Sequence, residues 1–200
     1  MEGMSYTLTY HFYRLRAADY VREYRNVEKF EAFCKECDRY DNCWVCPPYE
    51  RDLAAGLQTY EFVSLIGTQI VPLLEGKQNA ASGQKKQITV WQLLKEVRAK
   101  LDPCLRNLEI VYPGSRAFYA GTCHLCPEGQ CRKIWRLPCC HPEWIRPSLE
   151  ALGFDLSRTA EELLQVPLKW SNTEEWPDYW MLISGIFTRS EVNLCPEIFE

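Results

Sequence analysis

Eight of the eleven cysteines in this 200-residue chain fall into two compact groups. The first is Cys34, Cys37, Cys43 and Cys46, spaced C-x2-C-x5-C-x2-C. The second is Cys123, Cys126 and Cys131 followed by Cys139 or Cys140, spaced C-x2-C-x4-C-x7-C-C. Each group offers four soft ligands from one short loop, the donor set taken by tetrahedral zinc or by an iron–sulfur cluster. A C-x2-C pair brings two thiolates to one centre from a tight turn. The five residues between the first two pairs are short for a zinc ribbon but ample for a cluster, whose irons hold the ligands further apart. Short gaps and proline give the second group a ferredoxin-like texture. Adjacent cysteine side chains diverge, so one of Cys139 and Cys140 is expected to be spare. The expectation is two 4Fe-4S clusters, with zinc as the alternative. Four buried thiols acting as small hydrophobes fit poorly, because Lys35, Glu36, Asp38, Arg39, Asp41 and Asn42 surround the first group.

Other residues cluster around the second group. His124 and His141 stand beside cysteines, as second-layer hydrogen-bonding groups or substitutes for a thiolate. Arg132, Lys133, Arg136 and Arg146 form a basic set in an otherwise acidic chain. Cations there would offset thiolate charge and raise a cluster's potential, or dock an acidic partner. Trp135 and Trp144 are expected to shield the site, while Cys104 and Cys195 read as inert buried thiols.

The composition suits one domain over residues 1–200: 46% hydrophobic, 13% aromatic and 25% charged, with net charge −4. The acidic balance argues against nucleic acid as a partner. No apolar run is long enough for a membrane span, and no basic-then-apolar leader opens the chain, so a cytoplasmic location with reduced thiols is expected.

The elements that must position these loops can be read from patterning. Ser5–Tyr13 alternates as a half-buried strand, and Asn26–Lys35 is a helix that delivers Cys34. Tyr60–Val71 and Tyr179–Thr188 read as strands, and Arg116–Gly121 as a strand feeding the second group. Thr89-x-x-Gln92 predicts a capping box opening a helix with Trp91, Leu94, Val97 and Leu101 on one stripe. Pro147–Leu152 is a short helix closed by Gly153, and Thr159-x-x-Glu162 opens another. The result is an α+β fold with a mainly antiparallel sheet and flanking helices. Its loops are a first cysteine loop at 34–49, an exposed polar loop at 75–88 and a second cysteine loop at 121–142.

Several strings resemble a known family: Phe118-Tyr119-Ala120-Gly121-Thr122-Cys123-His124-Leu125-Cys126, Pro138-Cys139-Cys140-His141-Pro142, and Arg146 through Asp155. Together with Cys34-x2-Cys37-x2-Tyr40-x3-Trp44-x-Cys46-Pro47-Pro48, they are similar to the metal-binding family called domain of unknown function 2284 over about residues 34–155. The resemblance implies metal binding of iron–sulfur type in small cytoplasmic proteins common in anaerobes. It places a basic residue where this chain has Cys140, which makes Cys139 the ligand, and it does not require a cysteine at Cys43.

Three functions remain in competition. A two-cluster electron carrier needs only clusters near the surface and a redox partner protein. An iron–sulfur enzyme, an oxidoreductase in the broad sense, needs a polar pocket beside one cluster, with His124, His141, Arg146, Glu150 and Asp155 as candidate groups. A zinc-stabilised interaction module needs neither colour nor redox activity. The sequence favours the carrier.

Overall fold

The computed structural model describes residues 5–73, 84–169 and 177–199. The alternating first strand runs over Tyr6–Arg16 (β1) and pairs antiparallel with Phe62–Pro72 (β2), in register from Tyr6↔Pro72 to Arg16↔Phe62. On its other side β2 pairs with Trp180–Thr188 (β4), from Phe62↔Thr188 to Ile70↔Trp180. The short strand Arg116–Phe118 (β3) closes a four-stranded sheet in the order β1-β2-β4-β3. Every pairing is antiparallel.

Both faces of the two central strands are covered, which explains why β2 and β4 read as continuous apolar runs while the edge strand β1 alternates. One face packs on the long helix Gln84–Val111 (α3). Its stripe of Leu93, Val97, Leu101, Leu105 and Leu108 meets Ile66, Ile70, Leu182 and Ile186. The opposite face carries Val63, Leu65, Ile183 and Phe187 under helix Ala17–Tyr24 (α1) and the segment 149–164. Tyr20 is fully buried there, stacked on Phe154 at 4.7 Å between centroids, with its hydroxyl 3.0 Å from Thr159 Oγ1. No helix among the described residues is long and apolar enough to cross a membrane.

Helix Val27–Lys35 (α2) carries Cys34 in its last turn and is capped by Asn26, whose side chain accepts from Lys29 N at 3.0 Å. Its start is docked on the turn at 149–154, where Asn26 N donates to Gly153 O at 2.8 Å. Gly153 has φ +89, and a Cβ there would lie 2.8 Å from Val27 Cα, so glycine is needed for both conformation and clearance.

Several local expectations change. Of the polar loop at 75–88, residues 75–83 lie outside those described. Residues 84–88 are helical, because glutamine and lysine are good helix formers, and Thr89 therefore falls inside α3 rather than at its start. The strand expected at Arg116–Gly121 stops at Phe118; the chain then leaves the sheet, with Tyr119 N donating to Pro147 O at 3.2 Å. The helix expected at Pro147–Leu152 is a 3-10 turn over Glu150–Leu152, closed by Gly153 as predicted. The following helix (α4, Leu156–Arg158, running into a π turn at Thr159–Leu163) is capped by Asp155, which accepts from Arg158 N at 3.0 Å. Thr159 is buried and bonds to Tyr20 and to Asp155 O instead.

Candidate metal centre

The two cysteine loops, 76 residues apart between Cys46 and Thr122, meet in space at those residues. The first leaves α2 through two tight turns, Cys37 N to Cys34 O at 3.0 Å and Cys46 N to Cys43 O at 3.0 Å. Thr122 stands between the loops, its hydroxyl 3.6 Å from Cys46 Sγ and 4.0 Å from Cys43 Sγ. All eleven cysteines are free thiols, with no disulfide among them.

The sulfurs distribute over two adjacent spaces. Cys34, Cys37 and Cys46 line a cavity of about 190 Å³ with Phe30, Phe33 and Glu150. Cys43, Cys123, Cys126, Cys131 and Cys139 line a narrow cleft of about 20 Å³ beside it, together with His141. Cys43 is the boundary. Buried to 2% exposure, it bonds through sulfur to both Cys46 and Cys123. Hydrogen bonds from Cys123 and Cys46 pull the Cys43 thiol down, while Cys46 and Cys123 are pushed up, first by their bonds to Cys43 and then by burial.

At the outer end of the second group, Cys126 Sγ lies 3.8 Å from Cys140 Sγ. Ligand atoms of Cys126, Cys140 and His141 all fall within 4.8 Å of one another. Cys139 instead faces the cleft and accepts from His141 N at 3.3 Å. The adjacent cysteines diverge as their chemistry demands, and each has a distinct set of neighbours.

Of the four basic residues near the second group, Lys133 is buried, Arg146 is half-buried, and Arg132 and Arg136 are exposed; three of them are paired with acidic groups. Lys133 is buried; its ammonium donates to Cys46 O at 3.1 Å and Pro48 O at 3.3 Å and lies 3.6 Å from Asp41. Arg136 chelates Asp41 at 2.8 and 2.6 Å. Arg146 grips Glu109, the closest approach being 2.6 Å. Lys133 and Arg136 clamp the first loop to the second, helped by Trp44 Nε1 donating to Leu137 O at 3.1 Å. The sequence showed lysine and arginine near cysteines, but carried no sign that their partners lay about ninety residues away.

Other expectations are also revised. Trp135 and Trp144 are exposed at 56% and 48%, so neither walls off the sulfurs; Arg106 stacks on the Trp144 ring at 3.9 Å. Cys195 is exposed rather than buried, and Cys104 is partly buried on α3, donating to Lys100 O at 3.2 Å. Asp155 is spent as a helix cap and in a 3.5 Å pair with Lys29. His124 lies in neither sulfur-lined space. Its imidazole is held down at about 4 by desolvation, with Arg98 and Lys95 contributing, and Nδ1 is buried without a partner among the described residues. Arg98, which no motif singled out, and Thr122, which stands in the Gly121-Thr122-Cys123 string, belong to the site: buried Arg98 donates to the Thr122 carbonyl and to Asp102 at 2.9 Å.

A sequence model of the family described as predicted metal-binding protein (DUF2284) matches residues 21–187. No curated protein and no solved structure matches the chain.

Proposed function

The chain belongs to this predicted metal-binding family, and we propose that it is an iron–sulfur protein that binds two 4Fe-4S clusters and acts in electron transfer. The donor set supports this: soft thiols only, unoxidised, from two loops packed against each other. Cys34, Cys37 and Cys46 would hold one cluster and Cys123, Cys126, Cys131 and Cys139 the other. Cys43 stands between them, in reach of both sets. When bound, such clusters accept and release single electrons at potentials set by charge, hydrogen bonds and exposure. The carrying observation is the contact of Cys43 with both Cys46 and Cys123, which leaves no intervening layer between the two sulfur sets.

The protein's own groups supply hydrogen bonds to sulfur. Thr122 Oγ1 reaches Cys43, Arg39 N reaches Cys37 at 3.5 Å and His141 N reaches Cys139 at 3.3 Å. Each stabilises negative charge on its thiolate and so favours the reduced state. Exposed Phe33, Trp44, Ile134, Trp135 and Leu137 rim the cysteine loops, a surface suited to a redox partner protein docking over them.

One observation favours zinc at the second set. The cleft is small, about 20 Å³, and at the outer end of the set Cys126, Cys140 and His141 converge as a tripod suited to a single ion. Metal analysis of protein made and kept without oxygen separates the readings. Two cubanes give about eight irons and eight sulfides per chain and bleach on reduction. Stoichiometric zinc without sulfide would overturn the electron-transfer reading.

A further inference from the structure

A third space opens on the far side of Cys123. It is a half-open cavity of about 270 Å³ whose lining includes Arg98, Ala99, Asp102, Tyr119, His124 and Trp144. Its walls are mainly apolar, with aromatic surface from Tyr119 and Trp144. Pro103 lies inside α3 and has no N–H, so it cannot satisfy the Ala99 carbonyl one turn earlier.

Three residues of the lining each carry a buried polar atom with no partner among the described residues: Arg98 Nε, Asp102 Oδ1 and His124 Nδ1. Arg98 is 5% exposed and Asp102 9%. Buried groups of this kind cost stability unless something completes them. The charges are already balanced: Arg98 pairs with Asp102 at 2.9 Å, and Arg146 with Glu109 at 2.6 Å. An ion entering the space would lose its hydration without gaining a free counter-charge. A neutral molecule meets no such penalty. At about 30 Å³ per water in the liquid, the volume corresponds to roughly nine waters, or one or two fused rings.

We propose that this cavity binds a neutral, flat, one- or two-ring organic molecule carrying an N–H or O–H donor beside a carbonyl acceptor. The ring would lie between Tyr119 and Trp144. Its donor would meet Asp102 or His124, and its acceptor Arg98. Because Cys123 is part of the wall, the bound molecule touches the second sulfur set; that adjacency to a metal rests on the proposed function, whereas the binding itself does not.

The test uses the full chain, purified without oxygen and with its metal content measured, titrated calorimetrically with 2-quinolinone. The expected result is saturable binding with Kd below about 1 mM. N-Methyl-2-quinolinone, lacking the donor, and naphthalene, lacking both polar groups, should bind at least about tenfold more weakly. Ala99 is exposed at the cavity wall, so Ala99→Phe fills the space without crowding the core and should abolish binding at unchanged metal content; Ala99→Leu should give a partial loss. No binding, equal binding of all three probes, or binding that survives Ala99→Phe overturns the proposal. Metal content read on the same samples tests the metal assignment separately.

Discussion

Replacing Lys133 by methionine tests whether the cysteine loops are held together before any metal arrives. The methionine keeps most of the aliphatic stem and removes the ammonium that donates to Cys46 O at 3.1 Å and Pro48 O at 3.3 Å. A hydrogen bond from a charged donor contributes about 1.5–3 kcal/mol. Pro48 is exposed, so water can replace that bond; the Cys46 carbonyl, more enclosed, loses its partner. The expected destabilisation is therefore about 2–4 kcal/mol, with metal affinity falling about 10- to 100-fold as the first loop loosens from the second. Arg136 bridges the same loops through Asp41, but that pair is exposed to solvent, so Arg136→Ala should produce a far smaller shift. Urea unfolding of both variants at matched metal load, with a competitive chelator titration, gives the two quantities. A change below about 0.5 kcal/mol with unaltered metal affinity in Lys133→Met, or a larger effect in Arg136→Ala, refutes the clamp.

The remaining expectations concern the hinge, the metal count and the pH response. Gly153→Ala must place a Cβ 2.8 Å from Val27 Cα at φ +89, displacing the start of the helix that carries Cys34; we expect a loss of at least about 2 kcal/mol in thermal or urea unfolding, and a near-neutral result would refute the contact. Cys43→Ser should lower metal content, because Cys43 faces both sulfur sets, whereas Cys104→Ser and Cys195→Ser, remote from both, should leave it unchanged; equal metal content in all three would remove Cys43 from the site. Burial raises the Asp102 carboxyl from 3.8 to about 6 against the opposing pull of Arg98. Folding then strengthens proton binding at Asp102, so its stabilising contribution is full below pH about 4 and is lost as pH rises through about 6. Wild type should lose up to about 3 kcal/mol relative to Asp102→Asn across that window, and a flat difference would show that Asp102 is not desolvated.

The fold was legible where local pattern decides structure. The strands at Tyr6–Arg16, Phe62–Pro72 and Trp180–Thr188 follow from β-branched and aromatic runs, and α2 from its Asn26 cap and apolar spacing. The misplacements arose where a local signal competed with a stronger one nearby. Thr89-x-x-Gln92 has the form of a capping box, but good helix formers precede it and carry the helix through. Thr159 was read as a cap, but Asp155 stands four residues earlier in the better position. For the site, the spacing of cysteines identified the donor groups and not their neighbours. Spacing treats Cys34, Cys37, Cys43 and Cys46 as one square of ligands, yet the chain path from Cys43 through Trp44 and Val45 turns the Cys43 sulfur toward Cys123. That contact depends on the second loop, and no one-dimensional pattern encodes it.

The position of Cys43 also bears on why the thiols in this protein remain receptive to metal. A buried thiolate is costly, and three buried thiols would ordinarily resist ionisation. Here the S–H bonds of Cys46 and Cys123 to Cys43 favour ionisation of Cys43 and oppose that of its two neighbours. On the proposed assignment, metal binding at Cys46 and Cys123 would release their protons and draw on both loops. Lys133, donating to the backbone carbonyl of Cys46, supplies positive charge beside that same thiol. Cys43 touches a member of each sulfur set, so a change at Cys43 reaches both.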